Sequence, residues 1–368
     1  MSASFGVRFG LKGFNPDETP HLNRSSRFAR FESDVKMIYQ LRPVPSFYTN
    51  AEAKTMSRVS VALPVYNGER YLRIAIEAIL AQTYQDFEFI ISDNASTDRT
   101  EQICREYAAI DKRICYYRNE KNIGAPRNFN RAFELSHGEY LKWATCDDHV
   151  APDMIEKCLA VMDSNPDVVM CFPDAKLIDA EGNFIKNYDD VLHLQDPKAS
   201  RRFIQLLQTI GLAHQHTGLI RSAALKKTRL HGSFTSADVN FLAELSLYGK
   251  FYRLPEYLLF RRFHPGSSSW DRKDRDGKDR DRQVTWTDPG RGNRVRLDRW
   301  ESTWTFFDAV RRCPSPPREK LEMYNFLLIR MYCQKFILGQ ELIDSFRAVC
   351  RHFLKVKSSS LWKVGSWH

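Results

Sequence analysis

Apolar residues along this chain fall into short β-branched runs separated by stretches of helical period. Between Arg58 and Asp98 the text is RVSVALPVYNGERYLRIAIEAILAQTYQDFEFIISDNASTD. The run Val59 to Leu63 stops at Pro64, and Leu72, Ile76, Ile79 and Leu80 then share one side of a helix. A second run, Phe87 to Ile91, breaks at Ser92-Asp93-Asn94. This reads as strand, helix, strand, with a polar cluster just past each strand. Open parallel sheets bind ligands at the carboxyl ends of their strands. Tyr66, Asn67 and Asp93 are therefore expected at one ligand-binding edge.

The alternation continues. Thr100 to Ala109 predicts a helix carrying Ile103 and Tyr107, with Ser96 or Thr97 as its cap and Asp98 in its first turn. Arg113 to Arg118 is a short strand. NEKNIGAPRNFNRAFELSHG follows as a loop and a helix closing at Gly138. The strand Tyr140 to Ala144 runs into Thr145-Cys146-Asp147-Asp148-His149, and Pro152 opens a helix through Met162. Val168 to Phe172 reads as a buried strand, and Lys176 to Ile185 as a hairpin turning at Glu181-Gly182-Asn183. Phe203, Leu206 and Leu207 mark a helix. The polar His214-Gln215-His216-Thr217-Gly218 precedes a short apolar run. Ser236 to Tyr248 predicts an amphipathic helix, and Phe251 to Phe260 returns as strands. The fold class is α/β, with a mostly parallel central sheet flanked by helices.

The flanks differ. Residues 1–57 show no sustained period and are expected to be a loosely ordered extension; Met56 stands directly before the first strand and could start the functional protein. The α/β domain is placed at 58–269. Residues 270–299, DRKDRDGKDRDRQ and onward, mix charges with few apolar residues and should form a mobile linker. Residues 300–368 are expected to be a helical subdomain. Its stripes are Trp300, Trp304 and Phe307, then Leu321, Tyr324 and Leu328, then Leu342, Phe346, Val349 and Phe353. Arg347, Arg351, Lys355 and Lys357 with Trp362 and Trp367 make a basic amphipathic end, which either packs on the sheet or lies on an anionic membrane surface.

Composition adds bounds. The 368 residues are 43% apolar and 27% charged, ordinary for a globular chain. The net charge of +10 suits an anionic partner such as a nucleotide diphosphate. Nucleic acid is not expected, because aspartates nearly balance the basic residues of 270–299. The cysteines are scattered without any CxxC, which favours unpaired thiols in the cytoplasm over disulfides or zinc. The first residues lack a signal-peptide apolar core, and no run of about 18 apolar residues predicts a spanning helix.

Six stretches, in order, resemble the family 2 glycosyltransferases, which have the GT-A fold. They are PVYNG, SDNASTD, NIGAPRNFN, GEYLKWATCDDHVAPD, the acidic residue in TSADVNF, and RRFHPGSSS. The resemblance covers roughly Val59 to His264; each piece alone is weak, and the ordered set is specific. It implies inverting transfer of a sugar from a nucleotide-diphosphate donor, best guessed as a UDP-sugar, to a hydroxyl of a glycan or lipid-linked acceptor. It also implies Mn²⁺ or Mg²⁺.

The resemblance assigns roles residue by residue. Asp93 would accept from the uracil, with Pro64, Tyr66 and Asn67 walling the base pocket; its structural alternative is an Asx turn or helix cap. Gly124, Arg127 and Asn128 lie where a loop feeds a helix N-terminus, a place that suits an anion, and Arg127 would meet uracil, ribose or phosphate. Asp147 and Asp148 stand at the DxD-type site, where a divalent cation neutralises the departing diphosphate. Thr145 replaces the first aspartate of that pattern. Asp148 is expected to be the principal metal ligand and Asp147 to meet ribose or metal-bound water. The alternative is an acidic cap before Pro152. Asp238 is the candidate general base, with Ala237 in the place of a frequent second acid, unless it serves as a helix cap. Arg262 and His264 would reach the diphosphate or the metal.

Two other readings are open. A nucleotidyltransferase needs a glycine-rich basic loop after the first strand, and PVYNGERY has one glycine. A non-catalytic nucleotide-sugar or glycan-binding module is supported only by Thr145 and Ala237, and slow donor hydrolysis would tell the two apart.

Overall fold

A computed structural model describes residues 57–265, 286–290 and 297–347. The strand–helix alternation builds one nine-stranded sheet in the order β3-β2-β1-β4-β8-β6-β9-β5, with β7 paired to β6. Its first half is β1 (Val59–Val65), α1 (Leu72–Leu80), β2 (Phe87–Asp93), α2 (Thr100–Ile110), β3 (Ile114–Arg118), α3 (Ala125–Glu134) and β4 (Tyr140–Trp143), with all four strands parallel. The second half is β5 (His149–Val150), α4 (Met154–Ser164), β6 (Val168–Ile178), β7 (Phe184–Tyr188), α5 (Ala199–Thr209), β8 (Leu219–Arg221), α6 (Ser222–Leu225), α7 (Ala237–Ser246) and β9 (Lys250–Arg262). Here β8 runs antiparallel to both β4 and β6, while β9 is parallel to β6.

Alternation along the central strands feeds two cores, one on each face. Val59, Val61 and Leu63 join Ile76, Ile79, Ile103 and Met154 on one side. Ala62, Leu141 and Trp143 join Phe133, Phe203, Phe241 and Val310 on the other. Strands buried on both faces need apolar side chains at nearly every position, hence the unbroken runs.

Several boundaries move for identifiable reasons. Strand β1 continues through Pro64, because β4 pairs with it only as far as Ala62 and no partner there needs the missing N–H. Strand β6 runs well past Phe172, to Ile178, because β7 and β9 both extend it. The hairpin turn falls at Glu181-Gly182-Asn183 as expected, with Gly182 at φ +94°. Ser96 and Thr97 do not cap α2; Asp98 Oδ1 accepts from the Thr100 N–H at 3.0 Å instead. Gly138 is not a helix stop, since α3 ends at Glu134. A Cβ at Gly138 would lie 2.6 Å from the Ser60 nitrogen, so this glycine lets the chain enter β4 against β1.

The helix expected to be amphipathic, α7, is buried nearly all round, because α5 and α8 (Asp298–Arg312) pack on it from two sides. The expected stripes of the last helices are also rotated. In α8 the buried residues are Phe306, Asp308, Ala309 and Val310, while Trp304 faces out. Pairs to other elements, Asp308 with Arg229 and Arg312 with Glu244 of α7, fit that rotation. In α9 (Pro317–Cys333) Met323 and Leu327 point inward and Leu321 and Leu328 outward. Glu319 and Glu322 turn it so, by accepting from the backbone and hydroxyl of Ser200 at the start of α5. A further helix occupies 335–347, with Leu342 and Phe346 exposed. The proposed extension 1–57 (but for residue 57), most of 270–299, and Val349, Phe353, Trp362 and Trp367 lie outside the described residues. Among the described residues no helix is long and apolar enough to cross a membrane.

Candidate active site

The carboxyl ends of β1, β2 and β4 sit side by side, and the loops leaving them are tied together. After β1 the chain turns at Asn67, in the left-handed region at φ +50°. The Asn67 N–H donates to Ser96 Oγ at 2.9 Å, and its side-chain oxygen accepts from the Thr97 N–H at 2.8 Å. A Cβ at Gly68 would approach the Cys146 Sγ at 3.2 Å, so the β1 loop rests directly on the turn carrying Asp147. Tyr66 is exposed beside it and Pro64 is buried in β1.

Asp93, the last residue of β2, is fully buried. Its Oδ1 accepts from the Ser96 N–H at 2.8 Å. Its Oδ2 accepts from the Tyr116 hydroxyl at 2.7 Å and from Arg118 at 2.6 Å. Both oxygens are spent inside the protein, which is the turn-forming alternative rather than the open base contact expected. Asn128 is likewise internal: it accepts from Ser92 Oγ at 2.7 Å and donates to the Ser92 carbonyl at 2.7 Å. Gly124, at φ +87°, has the Thr287 carbonyl over it, where a Cβ would come within 2.3 Å. The short segment 286–290 thus covers the start of α3. Arg127 remains exposed, 3.8 Å from Asp288.

The β4 end is different. Asp147, Asp148 and Asp238 line one cavity of ≈ 240 Å³. Asp147 is partly exposed and its Oδ2 stands 3.2 Å from His264 Nε2. Asp148 is turned inward: Oδ1 accepts from the Arg262 N–H at 2.8 Å and Oδ2 from the Thr145 hydroxyl at 2.9 Å. Burial and the neighbouring Asp147 charge push its carboxyl up to about 6, against Arg261. The Arg262 guanidinium is buried and donates to the carbonyls of Asp147, Asp179 and Ala180. It holds the turn in shape, where a contact to the donor diphosphate had been expected. Asp238 enters from the first turn of α7, just after Ser236 at φ +64°, and is partly buried. Pro64, Tyr66, Asn67, Asp93, Arg127 and His264 are not among the residues lining this cavity.

Sequence reading passed over Phe129, His231, Phe234 and Trp286, which line the cavity; His214 and His216, which the sequence offered as site-lining or as polar fillers, line it too. His231 stacks on Phe241 at 4.6 Å, and burial pushes its ring down to about 3, keeping it neutral. His216 holds its Nδ1 2.7 Å from the Ala213 carbonyl and is depressed by burial, although the Asp238 charge pulls the other way. Lys142, fully buried in β4, donates to the Trp143 and Thr217 carbonyls at 3.2 Å, and burial brings it down to about 8. A lysine inside an otherwise apolar strand was the available signal for it. An aromatic residue among the charges of 270–299 was the signal for Trp286.

Residues 60–229 match the family model described as Glycosyl transferase family 2. An uncharacterized glycosyltransferase of Methanocaldococcus jannaschii is 38% identical over 132 residues, 35% of this chain and 46% of its own length. Chondroitin synthase of Escherichia coli is 31% identical over 184 residues, 48% of this chain and 26% of that protein. The chain thus spans about half or less of these relatives. In fold it is similar to Staphylococcus aureus TarS residues 1–349, solved in complex with UDP: the TM-score is 0.54, with 17% identity over 75% of this chain and 72% of that one. The architecture is a GT-A glycosyltransferase fold followed by a helical region.

Proposed function

We propose that this protein transfers a sugar from a nucleoside-diphosphate donor to an acceptor hydroxyl by direct displacement, inverting the anomeric centre. A UDP-sugar is the donor suggested by the resemblance over Val59 to His264. The observation that carries the reading is that Asp147, at the end of β4, and Asp238, at the start of α7, reach the same cavity from different elements. Asp238 takes the proton of the attacking hydroxyl, a role worth roughly 10²–10⁴-fold when the base is well placed. The aromatic walls exclude water that would hydrolyse the donor.

The residues present fit a divalent cation. Asp147 Oδ2 and His264 Nε2 are 3.2 Å apart, close enough to share one ion. Among the described residues no group of three or more His, Cys, Asp or Glu forms a closed metal site. That suits Mg²⁺ or Mn²⁺, which take one or two protein ligands and complete their shell with phosphate and water. When bound, such an ion neutralises the charge that develops on the departing diphosphate. Asp147 is the better ligand of the acidic pair, because both Asp148 oxygens are already hydrogen-bonded; Asp148 positions the turn. Tyr66 and Arg127, both exposed near the strand ends, are proposed nucleotide contacts. Asp93 supports the base pocket from beneath.

The test measures UDP binding by thermal shift with Mn²⁺, then turnover of UDP-sugars with and without acceptor. Asp238→Asn should keep the UDP-induced shift and lose transfer. Wild-type turnover in that variant would remove Asp238 from the chemistry. Binding without any donor hydrolysis or transfer in the unaltered protein would make it a binding module.

A further inference from the structure

The last described helices hold an apolar face away from the core. Ile329, Tyr332, Phe336, Ile343 and Phe346 follow helical spacing i, i+3, i+7, i+14, i+17, and all are exposed, Phe336 by 79% and Phe346 by 70%. Leu328, Ile337 and Leu342 widen the stripe and are exposed too. The opposite side is anchored. Leu327 and Leu338 are buried, and buried Glu341 accepts from the N–H groups of Arg299 and Trp300. The Trp300 indole donates to the Leu338 carbonyl, and Arg330 donates to the Leu207 carbonyl. Turning the stripe inward would break all of these bonds, so it stays outward. A continuous exposed apolar face of this kind marks an interaction surface.

Charge decides what it meets. The exposed cations beside the stripe are Lys335, which lies over the Tyr332 and Phe336 rings, and Arg347. Asp344 bonds to Gln340 and lies 3.9 Å from Arg347. After Asp344 the sequence carries Arg347, Arg351, Lys355, Lys357 and Lys363 and no acidic residue. Two copies of this face would set cation against cation. An anionic bilayer surface offers acyl chains to the stripe and negative headgroups to its rim.

We propose that the face formed by residues 328–347 docks this protein on an anionic lipid surface, lying in the interface without spanning it. This is independent of the sugar chemistry. The test is co-sedimentation of the full chain with vesicles of phosphatidylglycerol and phosphatidylcholine, and with phosphatidylcholine alone. Binding to the mixed vesicles should be strong and should weaken with added salt. The double variant Phe336→Glu, Phe346→Glu should lower it by about tenfold or more, with unchanged circular dichroism and melting, since both side chains are outside the core. Lys335→Glu with Arg347→Glu should remove the preference for anionic vesicles. Unaltered vesicle binding in the phenylalanine variant would overturn the proposal. So would a monomer that ignores vesicles, which would mean the chain covers its own face. A dimer that the phenylalanine variant splits, with no vesicle binding, would assign the face to a second copy.

Discussion

Asp93 and Asp147 both leave the carboxyl edge of the parallel half of the sheet, yet they end in opposite environments. Asp93 pairs in register with Arg118 of β3, and Tyr116 stands two residues before that partner. Those neighbours close over its carboxylate and take Oδ2, while the Ser96 N–H takes Oδ1. Asp147 follows β4, whose neighbour on the other side, β8, runs antiparallel and is only three residues long. On that side the turn His214–Thr217 takes the place of a strand, and the space beside it becomes the cavity shared with Asp238. An acid at a strand end is therefore a candidate for chemistry only where the adjacent strand stops short. Where the neighbour carries a cation in register, the acid becomes part of the frame.

The contrast can be broken by substitution, and the largest effect should come at the cavity. Asp238→Asn is expected to lower transfer by about 10²–10⁴-fold with little change in melting, read by initial rates beside a thermal scan. Asp93→Ala should do the reverse. It leaves the Tyr116 hydroxyl without its acceptor and takes one partner from Arg118, which keeps the Ser96 carbonyl and Glu101, at a cost of about 1–3 kcal/mol, visible as a lower denaturation midpoint. A stable Asp93→Ala protein that no longer bound UDP would return Asp93 to the ligand site. Asp147→Ala should leave the melt nearly unchanged and abolish the Mn²⁺-dependent part of the UDP-induced shift. Chelation by EDTA should stop transfer in the unaltered protein.

A pH experiment probes the aromatic wall. The His231 ring is neutral in the folded protein down to about pH 3, whereas in the unfolded chain it takes a proton near 6.5. The unfolded state then binds more protons between those values, so this ring makes stability fall as pH falls below 6.5. The slope is at most about 1.4 kcal/mol per pH unit. Asp148, whose carboxyl is raised, works the other way below about pH 6, so the comparison must be with His231→Phe. The stability advantage of the unaltered protein over that variant should shrink by about 2 kcal/mol between pH 7.5 and 5, measured by urea titration. The smallest effect belongs to Arg127→Ala. Its exposed pairing with Asp288 should be worth under about 1 kcal/mol of stability, while UDP affinity should fall about tenfold if the guanidinium meets the nucleotide.

Much of the fold was readable because burial on both faces leaves a local trace. Val59 to Leu63, Phe87 to Ile91 and Val168 to Phe172 announce their strands, and Gly182 announces its turn. Asp147 and Asp148 were readable just past their strand for the same reason, whereas Asp238, in the first turn of its helix, came from the resemblance. Rotations were not. Trp304, Leu321 and Leu328 look like core residues by period alone, and ion pairs of Asp308 with Arg229 and of Arg312 with Glu244 turned α8 another way.

Local pattern by itself determined which segments are strands and helices, their order, and which polar residues emerge at the sheet's carboxyl edge, because period and turn chemistry act over a few neighbouring residues. Tertiary structure decided which of those polar residues face a ligand. Whether a carboxylate meets Arg118, a backbone N–H of Arg262 or an open cavity depends on strands and loops that are remote in the chain, and pairing register is what brings them together.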